Sequence, residues 1–208
     1  MNVTLKNCRF SYLNVLTPRE QKNDNGDVTY RYSANLLVEK DSPDHKALTA
    51  AIEAVAVGQW ANKAQGVLAK LYADNRVCLK DGDKELDKDG TVRSGYEGMM
   101  SLRSAAAQDS PPRAFNKYGD KITNENKHEF TGDRCGPYSG AYGEAMVRLW
   151  AQDNQDPKIG RRINCQLIAI KMSAPGESLA RKEMSDDEIL SQFSVETRKE
   201  VALEDMAS

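Results

Sequence analysis

Paired metal-ligand spacing is missing from this chain. It has two histidines, His45 and His128, and four cysteines, Cys8, Cys78, Cys135 and Cys165, all far apart. Zinc sites are built from closely spaced Cys or His pairs, so no metal is expected. The same scatter argues against a disulfide framework and fits reduced thiols packed as small apolar groups. No apolar stretch approaches the ~20 residues of a membrane span. The start, Met1-Asn-Val-Thr-Leu-Lys6, lacks the apolar run of a secretion signal. A phosphate-binding P-loop, a nucleophile elbow and a Rossmann fingerprint are all absent, and no cofactor is expected. The acidic run Asp81, Asp83, Glu85 does not make a calcium loop, because Leu86 stands where glycine is needed and Val92 where the bidentate glutamate is needed. One turn-rich run also falls short of the converging carboxylates of a two-metal nuclease.

Strong net charge is lacking too, at −2 over 208 residues, but the charge is uneven. Residues 173–208 hold four Lys/Arg against nine Asp/Glu, a net of −5, which leaves +3 on residues 1–172. A mildly basic body with an acidic tail is a recognisable asymmetry. The expected division is therefore a folded domain over 1–172 and an acidic, largely flexible tail over 173–208. Ser173-Ala-Pro-Gly176 breaks the chain between them, and Ser185-Asp-Asp-Glu188 is a capping box ahead of Ile189, Leu190 and Phe193.

What is present is strand periodicity. Residues 3–15 read as one long strand whose apolar phase shifts between Leu5 and Cys8, the mark of a bulge. Asn23-Asp-Asn-Gly26 is a turn signal, and Val28 to Val38 alternates cleanly. On that pattern Tyr30 and Tyr32 share a face with Ala34, Leu36 and Val38 and are expected in the core. Ser42-Pro43-Asp44 starts a helix with a buried stripe of Leu48, Ala51, Ile52 and Val55, and Trp60 is expected to pack. Gly58 and Gly66 are expected to interrupt it before a second piece carrying Leu71 and Tyr72. Residues 76–80 read as a short strand. Further strands over 97–105, 142–151 and 163–172 follow, the last two joined through Asp153-Asn-Gln-Asp-Pro157. Five principal strands and one helical insertion describe a mainly β protein with an OB-fold, a five-stranded Greek-key barrel with elaborated loops.

The long connection between the strands at 97–105 and 142–151 interleaves bases and aromatics: Arg113, Phe115, Lys117, Tyr118, Lys121, Tyr138 and Tyr142. Rings that stack on bases beside cations that meet phosphates grip single-stranded nucleic acid without reading its sequence. Phe115 and Tyr118 are the leading stacking candidates, with Tyr96 second and Tyr12 near the groove mouth. Arg31 lies on the polar face of its strand. Met99, Ser101 and Arg103 are expected on an exposed face of theirs, and Arg148 shares a face with Trp150. The candidate nucleic-acid-binding set is Tyr12, Arg31, Lys80, Tyr96, Arg103, Arg113, Phe115, Lys117, Tyr118, Arg148 and Trp150, with no catalytic residue. Two other readings stay open: a metal-dependent nuclease using Asp81 and Asp83, and a virion assembly protein that does not bind DNA.

Several stretches together resemble the single-stranded-DNA-binding proteins of tailed bacteriophages. They are Phe10-Ser-Tyr-Leu13, Tyr30-Arg-Tyr-Ser-Ala-Asn-Leu-Leu-Val-Glu-Lys40, Leu79-Lys-Asp-Gly-Asp83, Tyr96-Glu-Gly-Met99, Pro111-Pro112, Cys135-Gly to Trp150, and Gly160-Arg-Arg-Ile163. The resemblance covers roughly residues 1–172. It implies an OB-fold that coats single-stranded DNA during phage replication or recombination inside the host cell, without enzymatic activity. Phage or host replication proteins would be tail partners, and no membrane is involved. In the family the acidic tail often ends in an aromatic residue. Here it ends Met206-Ala-Ser208.

Overall fold

The computed structural model describes residues 1–22, 28–154, 156 and 159–179. The turn signal at 23–26 and the capping box at 185–188 lie outside the described residues, as do Gln155 and Pro157 of the 153–157 connection. Eight strands are present among the described residues: β1 (Asn2–Lys22), β2 (Val28–Glu39), β3 (Leu79–Asp81), β4 (Met99–Ala107), β5 (Arg113–Phe115), β6 (Lys121–Ile122), β7 (Tyr142–Asp153) and β8 (Arg161–Ala174). Two helices, α1 (Pro43–Trp60) and α2 (Ala64–Ala73), follow β2.

Five of the strands close a barrel. β1 pairs antiparallel with β2 and β7, β2 with β4, and β7 with β8. Closure comes where β4 meets β8 in parallel at Ala105 and Gln166. This is the connectivity expected of an OB-fold. Phe10, Leu36, Leu102, Leu149, Leu167 and Ile170 fill the interior, each essentially without solvent contact. Burial of such side chains stabilises by about 1.5–3 kcal/mol each.

The phase shift in β1 is a real irregularity: its register against β7 slips between Leu5 and Cys8. The Lys6 and Asn7 amides that the slip leaves over both donate to Asp44 Oδ2, at 2.9 and 2.8 Å. Asp44 therefore serves twice, as a first-turn acid of α1 and as acceptor for the bulge. Ser42 caps α1 by accepting from the His45 amide, as its sequence signature requires.

Three expectations need correction. Gly58 and Gly66 do not interrupt the helix; both sit within helical turns. The break falls at Ala61–Lys63, where Ala61 takes φ 46°. The cause is tertiary. Trp60 is buried, and its indole donates to Asp153 Oδ2 at 2.9 Å, which fixes the end of α1 against β7. Tyr30 is exposed and Tyr32 only partly covered. The β1–β2 ribbon continues past Arg31, the last residue of β2 paired with β4, so Tyr30 lies beyond the barrel and Tyr32 at its rim. Ser101 is buried, because residues 82–98 fold over the outer faces of β2 and β4. That cover includes Tyr96, 1 % exposed, which like Leu37 is buried outside the main core cluster. The long connection after β4 is itself structured. Its β5–β6 hairpin extends the sheet along the same edge of β8 that β4 uses.

Candidate nucleic-acid interface

The outward faces of β2, β4 and β8 meet at the seam of the barrel, where β4 touches β8 at a single register position. Residues 76–78 fill part of that seam: the Cys78 amide donates to the Ile163 carbonyl at 3.0 Å and the Ile163 amide to the Arg76 carbonyl at 3.1 Å. The result is an open groove of ≈ 810 Å³. Alternation along the strands explains its floor. Between the arginines of β2, β4 and β8 that line it, Ser33, Asn35, Ala105, Asn164 and Gln166 are short or uncharged. A ligand can come close to the sheet.

The charge of the groove is one-sided. Arg31, Arg76, Lys80, Arg103 and Arg162 line it, and no lining residue among those described is acidic. Arg162 donates to the Ile159 carbonyl, while its Nε is buried with no acceptor among the described residues. Lys80 donates to both the backbone and side-chain oxygens of Asn75, which pins its ammonium at the groove edge. Burial, and then Arg103 beside it, push Lys80 below the ordinary lysine value. Arg103 is held from behind by the buried carboxylate of Glu85, which also pairs with Arg93. Trp150, 44 % exposed, stands on β7 opposite Asn164 and supplies an aromatic face at one end of the groove.

A second groove, of ≈ 670 Å³, lies on the other side of the 82–98 cover. Tyr12 dominates it, 51 % exposed, with the Arg93 guanidinium 5.5 Å from its ring centre. Tyr12 has φ 47°, unusual for an aromatic residue, at the slip in register between Ser11 and Asn14. Neighbouring bonds over-determine that conformation: Leu13 N–H donates to Ser139 Oγ, and the Asn14 side-chain Nδ2 to the Tyr12 carbonyl. Tyr96 meets this region through its hydroxyl, which donates to Ser11 Oγ and accepts from Asn35. Its buried ring is closed to stacking.

The sequence candidates thus divide. Arg31, Lys80, Arg103 and Trp150 converge on the first groove, and Tyr12 and Tyr96 border the second. Arg148 lies beside Trp150 on β7 and donates to Asn2. Arg113, Phe115, Lys117 and Tyr118 lie on and just after β5, apart from both grooves. There Lys117 and Tyr118 both close on the Asp133 carboxylate. Asp81 and Asp83 both accept from Lys40, whose hydrogen bonds hold their carboxyls below the usual range. Sequence reasoning did not assign Arg76 or Arg162 to the site. Arg162 had a signal in Gly160-Arg-Arg-Ile163; Arg76, after the Asn75 turn at φ 59°, had none.

A family model described as the ssDNA-binding protein of Enterobacter phage Enc34 matches residues 1–201. Protein p50 of Acyrthosiphon pisum secondary endosymbiont phage 1 is 28% identical over 185 residues, 86% of each chain. The C-terminally truncated single-stranded DNA-binding protein of bacteriophage Enc34 superposes with a TM-score of 0.60 at 21% identity, covering 86% of this chain and 88% of that one. The same phage's protein in complex with ssDNA gives 0.54 at 22% identity, covering 85% and 88%. At these identities the solved structures speak for the fold.

Proposed function

The chain belongs to the Enc34 phage ssDNA-binding protein family, and from that premise we propose that it binds single-stranded DNA, without sequence preference, along the seam groove. The observation that carries this is a groove lined by five cationic side chains, no acidic one among those described, and an exposed tryptophan. Phosphates meet Arg31, Arg76, Lys80, Arg103 and Arg162, and a base stacks on Trp150. The short floor lets the strand lie close to the sheet. Nothing in the groove resembles the helix or ribbon that reads a duplex major groove. The family is one of binding proteins, not enzymes. Coating of DNA during phage replication or recombination in the host cell is the role that fits. Among the described residues no helix is long and apolar enough to cross a membrane.

Stacking on Trp150 should quench its fluorescence when oligo(dT) is added, and Trp60, buried against Asp153, should contribute little to the change. Trp150→Ala should weaken binding by about 1–3 kcal/mol and remove the quench. Tyr118→Ala, away from the groove, should bind more nearly like the parent. Affinity that is flat across salt concentration would sink the proposal, because phosphate neutralisation releases counterions.

The acidic tail fits an intramolecular competitor for the same cations. Residues 173–179 are strapped to the barrel: the Tyr138 hydroxyl bonds with Gly176, Arg9 donates to the Glu177 carbonyl, and the Leu179 amide donates to Ser139. Truncation should therefore follow Leu179, not Met172. It removes four Lys/Arg and eight Asp/Glu, and oligo(dT) binding should tighten, by less as salt rises. Unchanged or weaker binding by a truncated protein of parental melting temperature would rule the competitor out. A further role for the tail in contacting replication proteins is part of the same proposal.

A further inference from the structure

The seam groove does not end at Lys80 and Arg103. On their far side a third depression, ≈ 700 Å³, opens between the end of α2 and the β3 region. The two share Asn75, Val77, Lys80 and Arg103 as lining, so they are one surface with a waist. Tyr72, 44 % exposed, and Leu86, 48 % exposed, form its apolar part. Its two carboxylates are already engaged. Asp81 pairs with Lys40 and Lys84, and Glu85 with Arg103 and Arg93. What it offers a ligand is therefore an aromatic face with cations at its entrance.

From this we infer that the depression is a second single-strand subsite, in which Tyr72 stacks on a base of the nucleotide whose phosphate passes Lys80 and Arg103. The inference rests on the proposed ssDNA binding and extends it along a defined exit path. Lys80 suits a fixed phosphate contact at the waist: Asn75 takes two of its three donors, which leaves one for a ligand. Asn75 itself holds φ 59°, and its backbone N–H donates to the Tyr72 carbonyl at 3.1 Å, which fixes the turn that puts Tyr72 and Lys80 on the same opening. A ring at this place has a packing role only on its covered side.

The test uses the full chain and oligo(dT) of about 4 to about 16 nucleotides, the range of site sizes for one OB-fold. Affinity should step upward once the strand is long enough to pass the waist. Tyr72→Leu should abolish that step, costing long strands about tenfold, while short strands and melting temperature stay at parental values. Tyr72→Phe should keep the step. In parallel, oligonucleotides carrying 5-iodouracil at one end should photocrosslink to Tyr72 in the parent. A step that survives Tyr72→Leu overturns the inference, and so does crosslinking to Trp150 without any to Tyr72. If no oligonucleotide binds, the ssDNA reading itself fails, and this extension falls with it.

Discussion

Removing Arg31 and Arg103 together should lower oligo(dT) affinity about a hundredfold at low salt and flatten its salt dependence. The pair of changes matters. Arg31→Ala removes an exposed cation from the groove wall. Arg103→Gln removes charge but leaves an amide that can still donate to Glu85, so the buried carboxylate is not stranded. Charge-assisted contacts to phosphate contribute about 1.5–3 kcal/mol each, and two at the lower figure give roughly the hundredfold loss. Each neutralised phosphate adds about 0.7 to the slope of log affinity against log salt on single strands, so the double change should shallow it by about 1.4. Affinity measured at several salt concentrations gives both quantities. A variant that loses affinity at an unchanged slope would show that these arginines do not meet phosphates. A variant that binds like its parent would move the interface off the seam.

The largest expected effect on stability is at Gly143. In β7 it sits opposite Cys8, against the buried Phe10 ring. A Cβ at this position would fall 2.5 Å from Phe10 Cζ and closer still to the Lys171 carbonyl oxygen. The ring could turn only into a filled core, and the carbonyl belongs to the neighbouring strand. Gly143→Val should therefore cost about 3 kcal/mol or more, the upper range for overpacking. For a domain of this size that is roughly 6–12 °C in melting temperature. Gly58→Ala is the matched control. That position is on the exposed side of α1, with nothing within 4 Å of an added Cβ. It should raise stability by about 0.5–1 kcal/mol through helix propensity. Equal melting temperatures for the two variants would mean that the β1–β7 contact is looser than described.

Alternation and local turn chemistry carry the fold in the sequence. The strands of the barrel, the helix start at Ser42 and the slip between Leu5 and Cys8 are all nearest-neighbour facts, readable because side-chain period and capping act over a few residues. The same locality explains what was misread. Tyr30 and Tyr32 carry a core pattern, but whether that face meets a wall depends on where the barrel stops. The helix break at Ala61 has no glycine to announce it, since it answers to an indole–carboxylate bond 93 residues away in sequence.

The candidate interface divides along the same line. By itself the sequence determined the residue types: a basic body, an acidic tail, exposed-face arginines in β2 and β4, and a family likeness carried by ordered short stretches. It placed Arg31, Lys80, Arg103 and Trp150 among the candidates. Only the tertiary structure decided which of these share a groove. Arg76 and Arg162 join them because the 76–78 segment pairs with β8 across the seam, a contact between residues more than eighty positions apart. The interleaved rings and bases of the β5–β6 region, the strongest local signal, lie away from that groove, with Lys117 and Tyr118 held by Asp133. Composition fixes what a segment could bind, but barrel closure brings distant strands together and selects which cations face one another without a carboxylate between them.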